Sequence, residues 1–523
     1  MSEILTLTQA QIDKLLNKMG QSNASGLFER LRLGQPPTPR TPLYKDLSED
    51  EIFDKWTGML ADFVDRNPIC ARLAEYDISR MSKVGPQGGL QPFSKRENDF
   101  FDYYKLPKNE NFEIDLIIIE EMKVIMFGDL KDRRPIALET VVEQDRKDGK
   151  LITSSGAPSC GRRSDPAIIE EALNIAKSEK VWLLAMILGS RSQRGKERFI
   201  FIAPFALNIL EKSFLYPLMD AIRSRNINFF SAWEGIDRVS TGFMDQNFFE
   251  TNTILCQQDY TSMDKYINKT CIDIVYLSTK EFFQKKYHTE YRKLLDHLLT
   301  IGVMINVDKL VTGVHGMPSG SGFTNFVESV VSLYVSLQYP ETESQGLGDD
   351  LALSFPVGID HEDIKKLITS ASNSVGLIVN PDKQRIDDDT IVFLQRFYDK
   401  ELITDGIVEG NYPSILALNT AINPERYHDP RKWSGKMEIL RWIMILENCK
   451  NLPYFEELVQ FFINGDKFKL GISLPDFFVM LPKLYDESKL IKGFTPTYNQ
   501  ENANRGINDF ATVKLLKEIA TSG

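Results

Sequence analysis

Two pairs of carboxylates stand where strands should end. Residues 344–355 read Ser-Gln-Gly-Leu-Gly-Asp-Asp-Leu-Ala-Leu-Ser-Phe. Leu351, Leu353 and Phe355 alternate, as in a half-buried strand. Gly348 before the acids suits a tight turn, where the backbone needs freedom. The expected product is a hairpin presenting Asp349 and Asp350 at its tip. The second pair is Asp259 and Asp264, which follows the apolar run Thr253–Cys256. Carboxylates on neighbouring strands can hold two Mg²⁺ ions about 4 Å apart. Such ions compensate charge in phosphoryl transfer, where positioning and electrostatics supply most of the catalysis. Taken singly, Asp349-Asp350 reads equally as a solvated turn, and Asp259 as a helix N-cap.

Three further elements carry groups suited to phosphate and sugar. Residues 316–329 form a Pro-Ser-Gly-Ser-Gly loop running into an amphipathic helix. Gly320 permits close backbone approach, and Ser319, Thr324 and Asn325 offer hydrogen bonds near a helix N-terminus. An ordinary flexible helix start would look the same. Residues 191–204 alternate Arg194, Lys196 and Arg198, so an extended chain sets three cations on one face. That face suits a triphosphate, and a charged edge strand is the plain alternative. Phe199 and Phe201 would point into a core. Upstream, Ser154, Gly156 and Pro158 form a small-residue turn beside Arg162 and Arg163, where a nucleic-acid backbone could pass. Asn380-Pro381-Asp382-Lys383 places a lysine on a turn after Leu377–Val379. Lys383 could give a proton to a leaving pyrophosphate, or be an ordinary turn lysine.

The elements that must position these groups are mixed. The chain has 523 residues, room for about three units. Hydrophobic residues are 42% and aromatics 11%, which excludes a disordered or collagen-like chain. Five scattered cysteines without a Cys-x-x-Cys pair exclude a disulfide framework and argue against a zinc site. A short helix is expected over 8–20, then a Pro-rich connector at 34–39. Strands are expected at Thr253–Cys256, Gly376–Val379 and Ile391–Tyr398, and helices at Ile439–Leu446 and Phe455–Ile463. The start, Met1-Ser2-Glu3-Ile4, lacks the pattern of a signal peptide. The longest apolar runs are too short for a membrane span. The net charge of −11 argues against a phosphate-rich partner. Yet residues 146–198 hold 11 Lys+Arg and 6 Asp+Glu, a local +5 inside the acidic whole.

The order of these motifs resembles that of the viral RNA-dependent RNA polymerases. Basic strand, Asp-x₄-Asp, Ser-Gly-x₃-Thr, Gly-Asp-Asp and Asn-Pro-Asp-Lys occur once each, in that family's sequence, within about residues 150–400. The wording Pro-Ser-Gly-Ser-Gly-Phe-Thr-Asn is most similar to bisegmented double-stranded RNA viruses, the picobirnaviruses and then the partitiviruses. The resemblance implies an α+β fold shaped as a closed right hand. Residues 1–49 would bridge fingers and thumb, 50–250 with part of 265–315 form the fingers, 251–400 the palm and 401–523 the thumb and tail. It implies Mg²⁺, or Mn²⁺, on Asp259 and Asp349 with Asp350 in support. Asp264, Ser319, Gly320, Thr324 and Asn325 would meet the ribose, and Arg194, Lys196 and Arg198 the triphosphate. Lys383 would be the general acid, and residues 154–163 would line the template path. The implied partners are RNA template, nascent RNA and NTPs, with a capsid protein and no membrane. A monomer working in the virion interior and host cytoplasm is expected. One departure is Glu328, which stands where that family more often has Asn.

Two rivals remain at this level. A reverse transcriptase shares the paired acids, but usually has an aromatic residue where this chain has Asp264. A non-catalytic RNA-packaging protein could retain the fold. Against it, bare carboxylates aimed at phosphate repel RNA.

Overall fold

The computed structural model describes residues 2–106, 112–193, 196–250, 252–340, 342–429, 431, 433–488, 491 and 506–522. A four-stranded antiparallel sheet carries the acidic residues, in the order β7-β8-β4-β9. Its strands are β4 (Thr253–Asp259), β7 (Glu343–Leu347), β8 (Asp350–Pro356) and β9 (Arg385–Asp387). The β4–β8 register sets Asp259 opposite Asp350. β8 was expected to be half-buried, yet residues 351–355 are all buried. Both of its faces are covered. Leu351, Leu353 and Phe355 join the main core. On the other face Ala352 and Leu255 meet Phe243, Phe248, Ile391, Phe393 and Tyr398.

Those last three residues correct the expected strand Ile391–Tyr398. It is a hairpin of β10 (Thr390–Phe393) and β11 (Arg396–Asp399). Leu394 and Gln395 make the turn at positive φ. Neither residue announces a turn, because Gly, Asn and Asp usually take that conformation. Gly376–Val379 is not a strand either. Val379 forms one isolated bridge, to Tyr260.

A second sheet has the order β1-β6-β5-β2-β3. It contains β1 (Glu3–Thr6), β2 (Met186–Gln193), β3 (Lys196–Ile202), β5 (Val303–Asn306) and β6 (Lys309–Thr312). In β3, Phe199 and Phe201 are buried while Lys196 and Arg198 are exposed, as period-two alternation requires. The expected helix over 8–20 is two helices, α1 (Gln9–Leu15) and α2 (Lys18–Leu33). Asn17 accepts from the Gly20 N–H at 2.8 Å and caps α2. Asn is a strong N-cap, and it overrides the apolar spacing that ran through it.

The expected unit 50–250 does not pack as one body. Its first part, α3 (Glu49–Arg66) and α4 (Ala71–Ser79), shares a separate core with C-terminal helices. These are α8 (Ser414–Ile422), α9 (Gly435–Glu447), α10 (Phe455–Gly465) and α11 (Ala511–Ser522). Trp56, Leu60 and Leu73 lie against Ile415, Ile439 and Leu458 there. Asp77 of α4 anchors the contact. Its buried carboxylate accepts from the N–H groups of Ser414 and Ile415, both at 2.9 Å, and from the Tyr454 hydroxyl at 2.8 Å.

The first 49 residues touch both cores. β1 pairs with β6, the Thr41 N–H donates to Ile422 O at 2.9 Å, and Tyr44 OH donates to Phe461 O at 2.7 Å. Arg191 of β2 adds a two-point pair with Glu425, one contact at 2.8 Å. All five cysteines are buried free thiols. Among the described residues no helix is long and apolar enough to cross a membrane.

Candidate active site

The hairpin tip forms as the glycine predicted. Gly348 sits at φ +62° between β7 and β8, and Asp349 follows it in the turn. The tip is held from behind by α7 (Thr324–Ser336). Ser329 Oγ accepts the Gly348 N–H at 2.8 Å, and Ser332 Oγ donates to Gly348 O at 2.8 Å. Both serines are buried and face the hairpin at i, i+3 spacing. They escaped the sequence reading because they look like polar breaks in an apolar helix. Asp259 at the end of β4 is held too. Gln384 Oε1 accepts its N–H at 3.0 Å, and Gln384 Nε2 donates to its carbonyl at 3.1 Å. Lys383, the residue before this clamp, is exposed.

Asp264 lies on the short α6 (Met263–Tyr266). One of its carboxylate oxygens accepts from the buried Tyr103 hydroxyl, a contact between residues 161 positions apart. The glycine loop then packs directly on the basic strand. A Cβ on Gly320 would stand 1.6 Å from Phe201 O. The Phe201 N–H points to Ser319 Oγ at 3.4 Å, and Thr324 Oγ1 donates to Pro318 O at 2.8 Å. Thr324 therefore closes its own loop. Asn325 accepts from Trp233 Nε1 at 2.9 Å and lies beside Gly348.

The structure brings Asp259, Asp264, Asp349, Asp350, Arg198 and residues 318–325 into one place. Arg198 is close enough to favour the charged form of Asp349. Arg194 lies outside the described residues, as does Tyr498–Asn502 of the tail. The turn at 154–158 stands behind the glycine loop. A Cβ on Gly156 would come 2.6 Å from Ala203 O. Arg162 is exposed, but Arg163 is not a free cation beside a template path. Its guanidinium donates to Ser154 O at 2.9 Å and to Asn208 Oδ1 at 2.7 Å. Arg191 is likewise engaged, with Glu425. The local +5 thus overstates the charge open to RNA.

Comparison with known proteins finds similarity to viral polymerases. The model of the family described as viral RNA-dependent RNA polymerase matches residues 190–412. A protein named potential RNA-dependent RNA polymerase, from human picobirnavirus (strain Human/Thailand/Hy005102/-), is 28% identical over 94% of this chain and 95% of its own length. The crystal structure of the RNA-dependent RNA polymerase of a human picobirnavirus superposes with a TM-score of 0.84 at 25% identity. It covers 98% of this chain and 100% of that one. The chain is similar to the viral RNA-dependent RNA polymerases. A more distant relative, the RNA-directed RNA polymerase of Cryptosporidium parvum virus 1 (strain KSU-1), is 24% identical over 40% of this chain and 43% of its own.

At the hairpin tip the acids repel one another. Burial, then Asp259 and Asp264, raises Asp349 above the usual carboxylate range, while Arg198 opposes the rise. Burial, then Asp349 and Asp259, pushes Asp350 up to about 7, with Lys83 opposing. Glu328 is held well above its ordinary value by burial, then by Asp349 and Asp264. Such a crowded all-oxygen set fits a hard divalent cation such as Mg²⁺. Among the described residues no three acidic, His or Cys side chains already close around one point.

The Asp350 shift has a measurable sign. Its folded pKa of about 7 exceeds the ordinary 3.8, so folding is favoured while the group stays protonated. In chelator, stability against urea should therefore fall as pH rises from about 4 through about 7. Asp350→Asn should flatten that slope. Added Mg²⁺ should raise the melting temperature more at about pH 8 than at about pH 6, since ligation needs the deprotonated acids. A pH-independent Mg²⁺ effect would contradict the assignment.

Proposed function

We propose that the chain performs template-directed nucleotidyl transfer assisted by two metal ions, as the replicating and transcribing enzyme of a double-stranded RNA virus. The carrying observation is that Asp350 stands opposite Asp259 at one sheet end, with Asp349 near enough to feel both Asp259 and Arg198, beside the loop over 318–325. Two divalent ions on Asp259 and Asp349, supported by Asp350, would supply charge compensation at the attacking and leaving oxygens. The chain's own groups do the rest. Lys196 and Arg198, with Arg194, hold the triphosphate. Tyr103 holds one oxygen of Asp264 and the Lys265 N–H holds the other at 3.0 Å, which fixes the carboxylate that would accept a ribose hydroxyl. The 3′-hydroxyl of the nascent RNA bonds to the α-phosphorus and gives its proton to solvent water, while the bond from that phosphorus to the α–β bridging oxygen breaks. Pyrophosphate leaves and takes a proton from Lys383.

The four-stranded sheet with its flanking helices is the palm in this reading. The second sheet belongs to the fingers, and the helices over 414–522 with α3 and α4 to the thumb. The first 49 residues bridge the two. Work inside a virion and in host cytoplasm, as a monomer beside a capsid protein, follows from the same reading.

Asp264 favours ribonucleotides, because a carboxylate accepts a ribose hydroxyl that an aromatic gate would exclude. The test is incubation of purified protein with a short RNA template, Mg²⁺ and labelled NTPs or dNTPs. RNA products of template length are expected from NTPs. Preferential dNTP incorporation would establish the reverse-transcriptase alternative instead.

A further inference from the structure

A buried polar chain runs from the turn at 154–158 to the glycine loop through α5 (Phe205–Ser224), a helix carrying none of the recognised motifs. It begins at Ser154 O, which accepts from Arg163 Nε at 2.9 Å. Arg163 Nη2 donates to Asn208 Oδ1 at 2.7 Å, and its guanidinium lies 5.0 Å from the Phe205 ring centre. Asn208 Nδ2 donates to Glu211 Oε2 at 2.8 Å and to Gly320 O at 3.3 Å. Glu211 completes the chain. Its Oε1 accepts from Ser321 Oγ at 2.7 Å, and its Oε2 from the Gly322 N–H at 2.7 Å. Asn208 is 2% exposed and Glu211 0%.

Both side chains are fully used, and both end on the same loop. Buried polar groups without partners are costly, so this loop has one low-energy position while the chain is intact. The opposite side of the loop is stopped by β3, where Gly320 meets Phe201 O. The loop is thus wedged between the strand carrying Lys196 and Arg198 and the two residues of α5. Burial raises Glu211, while its three donors and Lys212 oppose the rise.

We propose that Asn208 and Glu211 are positioning residues for nucleotide selection. Through this chain they set residues 319–325 at the distance from β3 that a bound NTP requires, and tie that distance to the turn at 154–158. The proposal rests on the polymerase reading of the loop. Neither residue touches substrate.

The test compares Asn208→Ala, Glu211→Ala, Glu211→Gln and Ser321→Ala in steady-state single-nucleotide incorporation on an RNA template. Asn208→Ala and Glu211→Ala should raise the NTP KM about tenfold, with kcat changed less than about threefold, and should relax discrimination against dNTPs. Glu211→Gln should restore most of the KM, since its amide can still bond Ser321 and the Gly322 N–H. Ser321→Ala deletes one oxygen, keeps the fold and should show a smaller rise in the same direction. Leu218→Ala, a cavity in the same helix away from the loop, should lower the melting temperature without moving the KM. A KM for Ser321→Ala and Glu211→Ala equal to wild type would overturn the inference, whatever happens to stability. Wild-type protein that incorporates no NTP would instead overturn the polymerase mechanism on which it rests.

Discussion

Asp349→Asn should abolish nucleotide incorporation, by about a thousandfold or more, while leaving template binding largely intact. The substitution removes one charge at the tip of the hairpin and changes almost no volume. The turn itself should survive. Its two clamps, from Ser329 and Ser332, hold the backbone of Gly348 and not the Asp349 side chain. Under the proposed mechanism, what is lost is one of the charges that would hold a divalent ion beside Asp259. Stability should move the other way. Asp349 is crowded by Asp259 and Asp264, so its neutralisation relieves repulsion in metal-free protein. A higher melting temperature in chelator, a smaller Mg²⁺-induced shift and no product together make a pattern that misfolding cannot imitate. Unchanged incorporation would sink the catalytic assignment. Loss of RNA binding with the activity would point to the packaging alternative.

Gly320→Ala should cost about a hundredfold in incorporation, the scale expected when a reacting group is misplaced by about 1 Å. The added Cβ would lie 1.6 Å from Phe201 O and 3.2 Å from Ala203 N. These are backbone atoms of a strand and its end, so they have little room to yield. The loop must therefore leave β3, which separates the Thr324–Asn325 segment from Lys196 and Arg198. Gly26→Ala is the matched control. Gly26 lies inside α2 with nothing near its Cβ direction. That change should leave activity alone and add about 0.5–1 kcal/mol of stability, because alanine suits a helix interior better. Equal activity in the two alanine variants would show that the loop is not a tight fit.

The sequence by itself determined the chemistry and the local frames that present it. The Gly-Asp-Asp turn, the strand into Asp259 and the loop running into α7 were all legible. Each depends on turn chemistry, alternation or helical spacing within a dozen residues. Their order along the chain was enough to suggest a viral polymerase. The misjudged elements are also local in origin. Asn17 split a helix whose apolar spacing ran through it, and Leu394-Gln395 turned a chain without a turn residue.

What the tertiary structure alone decided is which groups are held and by what. Tyr103 reaches Asp264 across 161 positions, Gln384 reaches Asp259 across 125, and Asp77 reaches Ser414 across 337. Pairings at such separation leave no periodic trace, because each needs one polar atom at one point in space and not a pattern. For the same reason α3 and α4 pack with the C-terminal helices and not with their sequence neighbours. Charge followed the same rule. Counting placed a basic excess at 146–198, but folding spent Arg163 on a turn and Arg191 on Glu425. It left Arg198 facing Asp349. A sequence sums its charges, whereas a fold pairs some of them and aims the rest.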